Sequence, residues 1–342
     1  MTDLWTYLKE TTRPIVLYGT GNGADKIISR LASDGTDSKI AGIFASPGFV
    51  RDRSFHGIKV RSYEEVRDQN RNMIVLLCFG SSLPEVMNFV DKVASENELY
   101  APAVPVYGDD VFDAAYFERH MDEINAAREL MADELSLLTF DNTISYYLTG
   151  DIKLLAACET REEEEYGLTK LPSDAVYVDL GAYTGDTVAG YRSVFPSISR
   201  VIAVEPDAKN FRKLSENVKD ATLINALISD TCGTAQINLG KGRGVHEQDK
   251  GTYIDSVTVD SILSGARADL IKYDVEGNEY KALTGSSRTI KQYGPVLHVA
   301  CYHRSEDIYR LPLLIHDIRP DYRFYLRHRK HLINWDTQFI IK

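Results

Sequence analysis

Short apolar runs alternate with amphipathic stretches along residues 14–108. Three of the runs are typical of buried strands: "PIVLY", "KIAGIFA" and "NMIVLLCFG". The stretches between them have helical spacing, and two of them begin with a serine cap or with an early proline: "SYEEVRD" and "SLPEVMNFVDKVASE". Because alternating strands and helices favour a doubly wound parallel sheet, we predict a Rossmann-like α/β domain over residues 1–108.

Residues 109–165 lose this alternation and show only helical spacing of apolar residues, as at Phe112, Tyr116 and Phe117. The run "TREEEEY" contains four consecutive glutamates. Like charges repel each other when they are packed, so we predict an exposed helical or connecting surface there. The whole stretch is interpreted as a helical linker region between two domains.

Residues 166–342 alternate again and form the second predicted domain. Five runs read as its strands: "AVYVDLG", "RVIAVEP", "ATLINALIS", "ADLIKYDVEG" and "PVLHVACYH". Two β-like runs follow at the end of the chain, "YRFYLRHRK" and "NWDTQFIIK". We therefore predict an α/β protein with two doubly wound parallel-sheet domains, the C-terminal sheet closed by an antiparallel hairpin.

Composition narrows the class of partner. The 342 residues carry a formal charge of −11, which argues against a nucleic acid as partner, since phosphate binding needs a basic face. No apolar run is long enough to span a membrane, and the N-terminal residues show no secretory signal. The four cysteines are far apart in sequence and suggest no zinc site. Free thiols in a reducing cytoplasm are the interpretation we adopt.

The turn "VDLGAYTGD" is the first candidate site. Gly181 and Gly185 lie four residues apart after a strand, with Asp179 and Asp186 on either side. A dinucleotide needs a G-x-G-x-x-G spacing, and two carboxylates would repel its pyrophosphate. The same carboxylates would attract the ammonium and sulfonium of S-adenosylmethionine. The charge pattern therefore favours S-adenosylmethionine over NAD as the cofactor.

The next strands support a nucleoside site. Glu205 ends the second strand about 20 residues after the glycine turn, where an acid binds ribose hydroxyls. The third strand is expected to flank the adenine. Eight residues complete the predicted cofactor site together with the four of the turn: Ala182, Tyr183, Glu205, Pro206, Ala226, Leu227, Ile228 and Asp274.

Several motifs together resemble the FkbM family of S-adenosylmethionine-dependent methyltransferases. They are "VYVDLGAYTGDT", "VIAVEPD", "LINALISD", "LIKYDVEGNEYKALTG" and "ACYHRSEDIYRLPLLI". The family commonly has Asn where this chain has Tyr183, so the local contact can differ. The resemblance covers about residues 166–342. It implies a class I methyltransferase fold and O-methylation of a sugar or natural-product hydroxyl, in glycan or secondary-metabolite biosynthesis.

A methyl acceptor of this kind, a small molecule or glycan such as a nucleotide sugar, needs a group that takes the hydroxyl proton. Asp274 and Glu276 follow the fourth strand, and His303 follows the fifth, so the three should meet at one edge of the sheet. We predict His303 as the base, oriented by Glu276 or Asp274, with no metal. The alternative places a divalent cation on Asp274 and Glu276.

Two other functions stay open at this point. The chain can be a binding or scaffold protein whose methyltransferase fold no longer turns over. It can also be an NAD-dependent oxidoreductase that uses Gly19, Gly21 and Gly23, where the helix N-terminus and Lys26 suit an anion. The next strand has no acid at its tip, which argues against NAD. We favour a docking or substrate-recognition role for this first domain.

Overall fold

The computed structural model describes residues 2–239, 245–247 and 252–342. The chain divides into two compact units, and each of them is built from three separate segments. The first comprises Met1–Met121, Leu138–Glu159 and His328–Asp336. The second comprises Asp122–Leu137, Thr160–Arg327 and Thr337–Lys342. The domain bounds predicted at residues 108 and 165 stay a prediction.

The first unit contains a six-stranded sheet in the order β3-β4-β2-β1-β5-β6. Its strands are parallel except for the edge pair β3–β4. Its elements in chain order are α1 (Leu4–Glu10), β1 (Ile15–Tyr18), α2 (Asn22–Ser33), a 3₁₀ turn (Asp37–Lys39), β2 (Ile40–Phe44), β3 (Ser54–Phe55), β4 (Ile58–Arg61), α3 (Tyr63–Gln69), β5 (Ile74–Leu77), α4 (Pro84–Glu96), β6 (Glu98–Tyr100) and α5 (Ala114–Arg119).

Local sequence explains where several of these helices begin. Ser62 and Glu65 form a reciprocal capping box at the start of α3, and Pro84 is the first residue of α4. All four residues of β1 are buried, as are all four of β5. The predicted parallel-sheet domain at the N-terminal end of the chain is therefore confirmed.

Four helices follow, as the helical spacing predicted: α6 (Met121–Glu129), α7 (Glu134–Thr149), α8 (Ile152–Ala156) and α9 (Glu162–Tyr166). The glutamates of α9 are exposed with one exception. Glu165 is fully buried, and its Oε1 accepts a hydrogen bond of 2.6 Å from the side-chain amide of Gln338. The prediction of a wholly exposed surface is thus wrong for Glu165, because an amide partner offsets the cost of its burial.

The second unit contains a seven-stranded sheet in the order β16-β17-β15-β14-β7-β8-β9 and a separate four-stranded sheet in the order β10-β13-β11-β12. Its elements are β7 (Ala175–Leu180), α10 (Asp186–Val194), β8 (Ile198–Val204), α11 (Ala208–Asn217), β9 (Thr222–Ile224), β10 (Leu227–Ile228), β11 (Gly233–Leu239), β12 (Val245–Glu247), β13 (Thr252–Val257), α12 (Val259–Leu263), β14 (Leu270–Tyr273), α13 (Glu279–Thr284), α14 (Ser287–Tyr293), β15 (Val296–Ala300), α15 (Asp307–Ile318), β16 (Phe324–His328) and β17 (Thr337–Ile341).

The large sheet of this unit ends as predicted. Strands β9, β8, β7, β14 and β15 are parallel neighbours, whereas β17 runs antiparallel to β15. Arg323 and Lys342 exchange two backbone hydrogen bonds, of 2.7 and 3.1 Å, which is the pattern of an antiparallel pair between β16 and β17. The C-terminal hairpin that closes the parallel sheet is confirmed.

One predicted strand is divided in two. The run "ATLINALIS" leaves the large sheet after β9 and continues as β10 in the small sheet, where β10 pairs with β13. The exposed Asn225 lies at the break. Its side-chain amide donates to the backbone oxygens of Glu205 and Pro206. A continuous strand is excluded because Asn225 is bonded to the loop after β8 instead.

Two further features concern the described helices and thiols. Each helix that the structure describes is too short or too polar to cross a lipid bilayer. The four cysteines are free thiols, and three of them are buried.

Candidate active site

The glycine turn connects β7 to α10 and lies against the end of β14. Gly181 has a φ of +81°, and a Cβ added there would lie 1.9 Å from the backbone oxygen of Asp274. Gly185 caps α10 in the left-handed conformation, with a φ of +90°. Both positions therefore require glycine. The turn brings the backbone that follows β7 against Asp274, which follows the neighbouring strand β14.

Glu205 ties this turn to the end of β8. Its Oε2 accepts a hydrogen bond from the backbone N–H of Tyr183, and its Oε1 accepts one from the backbone N–H of Asp207, both at 2.9 Å. Burial raises the pKa of Glu205 to about 7, against the opposing effect of these N–H donors. Each carboxylate oxygen has a second lone pair, so Glu205 can still accept hydroxyl donors from a ligand.

Asp179 lies deeper than its place beside the turn suggested, and it is fully buried. Its Oδ2 accepts a hydrogen bond of 2.5 Å from the hydroxyl of Thr187. Its Oδ1 lies 3.5 Å from the ammonium of Lys272 on β14. The charge that we expected Asp179 to present to a ligand is therefore balanced within the protein. Asp186, exposed in the first turn of α10, is the open acid of the turn.

Lys272 connects the cofactor strand to the predicted catalytic strand. It faces Asp179 across the parallel pair β7–β14, and its ammonium also lies 3.3 Å from Oδ2 of Asp274. Burial alone would lower the pKa of Lys272, but the two carboxylates raise it above its ordinary value. A buried ammonium thus balances two acids of the predicted site.

The remaining cofactor-site residues surround the turn and the third strand. Ala182 is buried in the apolar core of the large sheet. Tyr183 is 37% exposed and has a φ of +47°. Ala226, Leu227 and Ile228 are buried, and Leu227, on β10 of the small sheet, packs with Ala235. Their predicted contacts with an adenine stay a prediction.

The three predicted catalytic residues lie together at the ends of β14 and β15. His303 is buried, whereas about a third of the side-chain surface of Asp274 and of Glu276 is exposed. The Nε2 atom of His303 lies 3.6 Å from Oδ1 of Asp274 and 3.5 Å from Oε2 of Glu276. The hydroxyl of Tyr302 donates to the same Oδ1 at 3.4 Å. The expectation that neighbouring strand ends bring these groups close agrees with this geometry.

The shortest contact of the histidine ring involves a residue that we did not select. Glu279 is the first residue of α13 and is fully buried. Its Oε1 accepts a 2.9 Å hydrogen bond from Nδ1 of His303 and a 2.8 Å hydrogen bond from the backbone N–H of Val275. The ring is therefore oriented by Glu279, and the predicted orienting residues Asp274 and Glu276 lie on its other side. The only signal in the sequence was its place in "DVEGNE".

The charged groups around His303 give it a protonation state different from the one that a general base needs. Burial alone would lower the pKa of His303, but Glu279, then Asp274 and Glu276, raise it to about 10. Burial raises the pKa of Asp274, while Lys272 and His303 more than reverse this and hold it below its ordinary value. At neutral pH the site thus contains an imidazolium beside the ionised carboxylate of Asp274. His303 was predicted as the base, and in this state it already carries the proton.

Metal ligands were the alternative for this edge of the sheet. Among the described residues, Asp274, Glu279 and His303 offer ligand atoms within 4.8 Å of one another. Glu276, which the alternative required, is not one of the three. Glu279 and His303 already pair at a hydrogen-bond distance.

Comparison with protein families identifies one domain. Residues 179–327 match the family model described as the methyltransferase FkbM domain. The matched residues contain all of the predicted cofactor and catalytic positions, from Asp179 to His303. No curated protein matches the chain.

Solved structures include one that is similar over nearly the whole chain. The crystal structure of methyltransferase FkbM from Methylobacillus flagellatus KT has a TM-score of 0.74 and 20% sequence identity, over 99% of this chain and 92% of that one. At this identity the similarity shows the fold. Precorrin-6y C5,15-methyltransferase from Geobacter metallireducens GS-15 has a TM-score of 0.34 and 12% identity, over 55% and 86% of the two chains. Fibrillarin from Aeropyrum pernix, in complex with S-adenosyl-L-methionine, has a TM-score of 0.33 and 17% identity, over 52% and 71%.

Proposed function

We propose that the chain transfers a methyl group from S-adenosylmethionine to a hydroxyl of a sugar, glycan or natural product, and we place this activity in residues 179–327, which match the model of the methyltransferase FkbM domain. The observation that supports this best is the placement of Glu205, Gly181 and Asp274. They lie at the carboxyl ends of three adjacent parallel strands, β8, β7 and β14. This edge is where open α/β sheets bind their ligands.

The residues at this edge fit the proposed cofactor. Glu205 keeps acceptor capacity for the ribose hydroxyls, and Asp186 offers an exposed carboxylate for a cationic ligand. Ala182, Tyr183 and Pro206, with the third-strand residues Ala226, Leu227 and Ile228, would line the nucleoside. When it is bound, S-adenosylmethionine supplies a methyl group on a positively charged sulfur, which is a strong electrophile.

The acceptor's proton must leave while its oxygen is methylated. We propose that Asp274 takes this proton, because its carboxylate is partly exposed and ionised. S-adenosylmethionine held at this edge would supply the methyl group for the new carbon–oxygen bond, and its sulfur would keep the electron pair of the carbon–sulfur bond. His303 then acts as the charged partner of Asp274, and Glu276 lies close to both. A positioned proton acceptor typically contributes about 10²–10⁴-fold in rate.

The experiment is product analysis with labelled cofactor. The purified chain is incubated with methyl-labelled S-adenosylmethionine and a panel of nucleotide sugars and glycans, and mass spectrometry locates the label. We expect a labelled O-methyl product, and a loss of about 10²-fold or more in turnover in Asp274→Asn. Calorimetry with S-adenosylhomocysteine runs in parallel. Binding without transfer to any acceptor would favour the scaffold alternative. If the chain neither binds S-adenosylhomocysteine nor transfers a methyl group, the proposal is refuted.

The structure gives less support to the oxidoreductase alternative. The ammonium of Lys26 donates to the backbone oxygens of Pro105 and Gly108, both at 2.7 Å, so its charge is engaged within the first unit. A thermal-shift comparison separates the two cofactors: we expect S-adenosylmethionine to raise the melting temperature and NAD to leave it unchanged. A docking or acceptor-recognition role for the first unit and a cytoplasmic location remain part of this proposal.

A further inference from the structure

We infer that Glu279 is a positioning residue: it anchors the ring of His303 so that Nε2 faces Asp274 and Glu276, and the acceptor's proton leaves to a carboxylate rather than to the histidine. The inference rests on the proposed methyl transfer. It assigns a role to a residue that touches neither the cofactor edge nor the exposed part of the site.

The anchoring is a matter of contacts. Glu279 is fully buried, and its Oε1 accepts hydrogen bonds from the ring of His303 and from the backbone N–H of Val275, four residues earlier in the chain. The aromatic ring of Tyr302 lies next to the histidine, with the ring centroids 4.3 Å apart and the planes tilted by 45°. The imidazole is therefore held at Nδ1 and has an aromatic neighbour, so that Nε2 has a defined direction.

Four acids from three elements surround this ring. Glu279 begins α13, Asp274 and Glu276 belong to the turn after β14, and Asp307 begins α15. The second oxygen of Glu279, Oε2, is buried and accepts no hydrogen bond within the described part of the chain. Burial and the neighbouring charge of Glu279 raise the pKa of Asp307 well above its ordinary value. Of these acids, Glu279 is the one that contacts the Nδ1 side of the ring.

The two ring nitrogens of His303 therefore face carboxylates in different environments. On the Nδ1 side a buried carboxylate fixes the proton and the orientation of the ring. On the Nε2 side the two carboxylates, at 3.6 and 3.5 Å, are partly open to solvent. The imidazolium helps to keep Asp274 ionised, because a nearby opposite charge favours the charged form of an acid. A glutamate at position 279 is needed for this, since a neutral group would let the ring lose its second proton.

The test is Glu279→Gln in the full chain, because glutamine retains an oxygen that can accept from Val275 and from the ring. The titration of His303 is followed by NMR of its ring nitrogens. We expect its midpoint to fall by about one to three pH units, which is the usual effect of one close opposite charge. Turnover should fall while the Kd for S-adenosylhomocysteine stays unchanged. The matched control is Glu165→Gln, another fully buried glutamate, and it should change neither the titration nor turnover.

The outcomes separate this inference from the proposed function. A ring of the wild-type protein that is neutral at pH 8 would overturn the inference before any variant is made, and so would an unchanged titration or turnover in Glu279→Gln. Should the glutamine variant not fold, Glu279→Asp, which keeps the charge but shortens the reach, must show a lower turnover with the ring still protonated. The NMR readout needs no acceptor, so it remains informative if the wild-type chain transfers no methyl group.

Discussion

The backbone N–H of Tyr183 in the glycine turn donates a 2.9 Å hydrogen bond to Oε2 of Glu205. This bond makes the geometry of the turn depend on a carboxylate whose pKa burial raises to about 7. The protonation state of Glu205 therefore changes within the range of pH in which the protein can be assayed.

The first prediction is that cofactor affinity rises with pH. The raised pKa means that Glu205 is mostly protonated at pH 6 and mostly ionised at pH 8, and only the ionised form accepts at both oxygens. If binding requires that form, the Kd for S-adenosylhomocysteine should be about tenfold weaker at pH 6 than at pH 8. Calorimetry at several pH values measures this. Glu205→Gln should bind weakly at both, and a wild-type Kd that is flat across this range would contradict the prediction.

The second prediction concerns the ammonium that balances two acids. Lys272→Met leaves Asp179 and Asp274 buried or partly buried without their cation, so we expect a loss of about 3–5 kcal/mol in the free energy of unfolding. Urea denaturation measures it. The exposed Lys213 on α11 provides the control, and Lys213→Met should change stability by less than about 0.5 kcal/mol. Equal effects of the two substitutions would exclude the proposed balance.

The third prediction compares two glycines of neighbouring segments. Gly181→Ala places a Cβ against the backbone oxygen of Asp274 at a positive φ, so stability should fall by about 2 kcal/mol or more. Gly190 lies inside α10 with no atom within 4 Å of an added Cβ. Gly190→Ala should stabilise the protein by about 0.5–1 kcal/mol, because alanine loses less backbone entropy in a helix. Thermal denaturation should show opposite signs, and two shifts in the same direction would refute this account.

The fourth prediction contrasts a buried ion pair with an exposed one. The guanidinium of Arg327 is buried and donates to Asp133 at 2.6 Å and to Ser136 at 2.8 Å. Asp133→Ala leaves that cation without its acid, and we expect a loss of roughly 2–4 kcal/mol. For the exposed pair Asp174–Arg267, at 2.7 Å, we expect a clearly smaller loss in Asp174→Ala, because water already screens both charges. Chemical denaturation of both variants measures the two stability losses. A larger loss in Asp174→Ala than in Asp133→Ala would contradict the prediction.

Much of the fold could be predicted from the sequence, because the spacing of apolar residues that marks strands and helices is a local property of the chain. The strands of both parallel sheets were visible as apolar runs, and the hairpin as two β-like runs at the end of the chain. The small sheet was not predicted. Strand β10 continues an apolar run without interruption, and its departure from the large sheet depends on the bonds that Asn225 makes to the loop after β8. Such partners become neighbours only in the folded chain.

The site was predictable to a similar depth. Strand-end positions placed Asp274, Glu276 and His303 together, because the ends of parallel strands share one edge of the sheet. The charge states were not predictable, since they depend on which groups are buried opposite one another. The sequence places Lys272 inside the fourth predicted strand and Glu279 shortly after it, but only the fold shows that Lys272 balances Asp179 and that Glu279 holds His303. Glu165 is a further example, because it is the buried one of four consecutive glutamates and the sequence does not distinguish it from the others.

The division of the first unit into three segments bears on how the protein is made. Leu332, near the end of the chain, donates a backbone hydrogen bond of 3.1 Å to Ser81, and a Cβ on Gly80 would meet the ring of His331 at 2.5 Å. A ribosome must therefore synthesise nearly the entire protein before the first unit can acquire its last segment. Domains commonly fold in order as they emerge during translation. Here the first unit to emerge is among the last to be completed, so a nascent chain stalled before residue 328 should present it unfinished to chaperones and proteases.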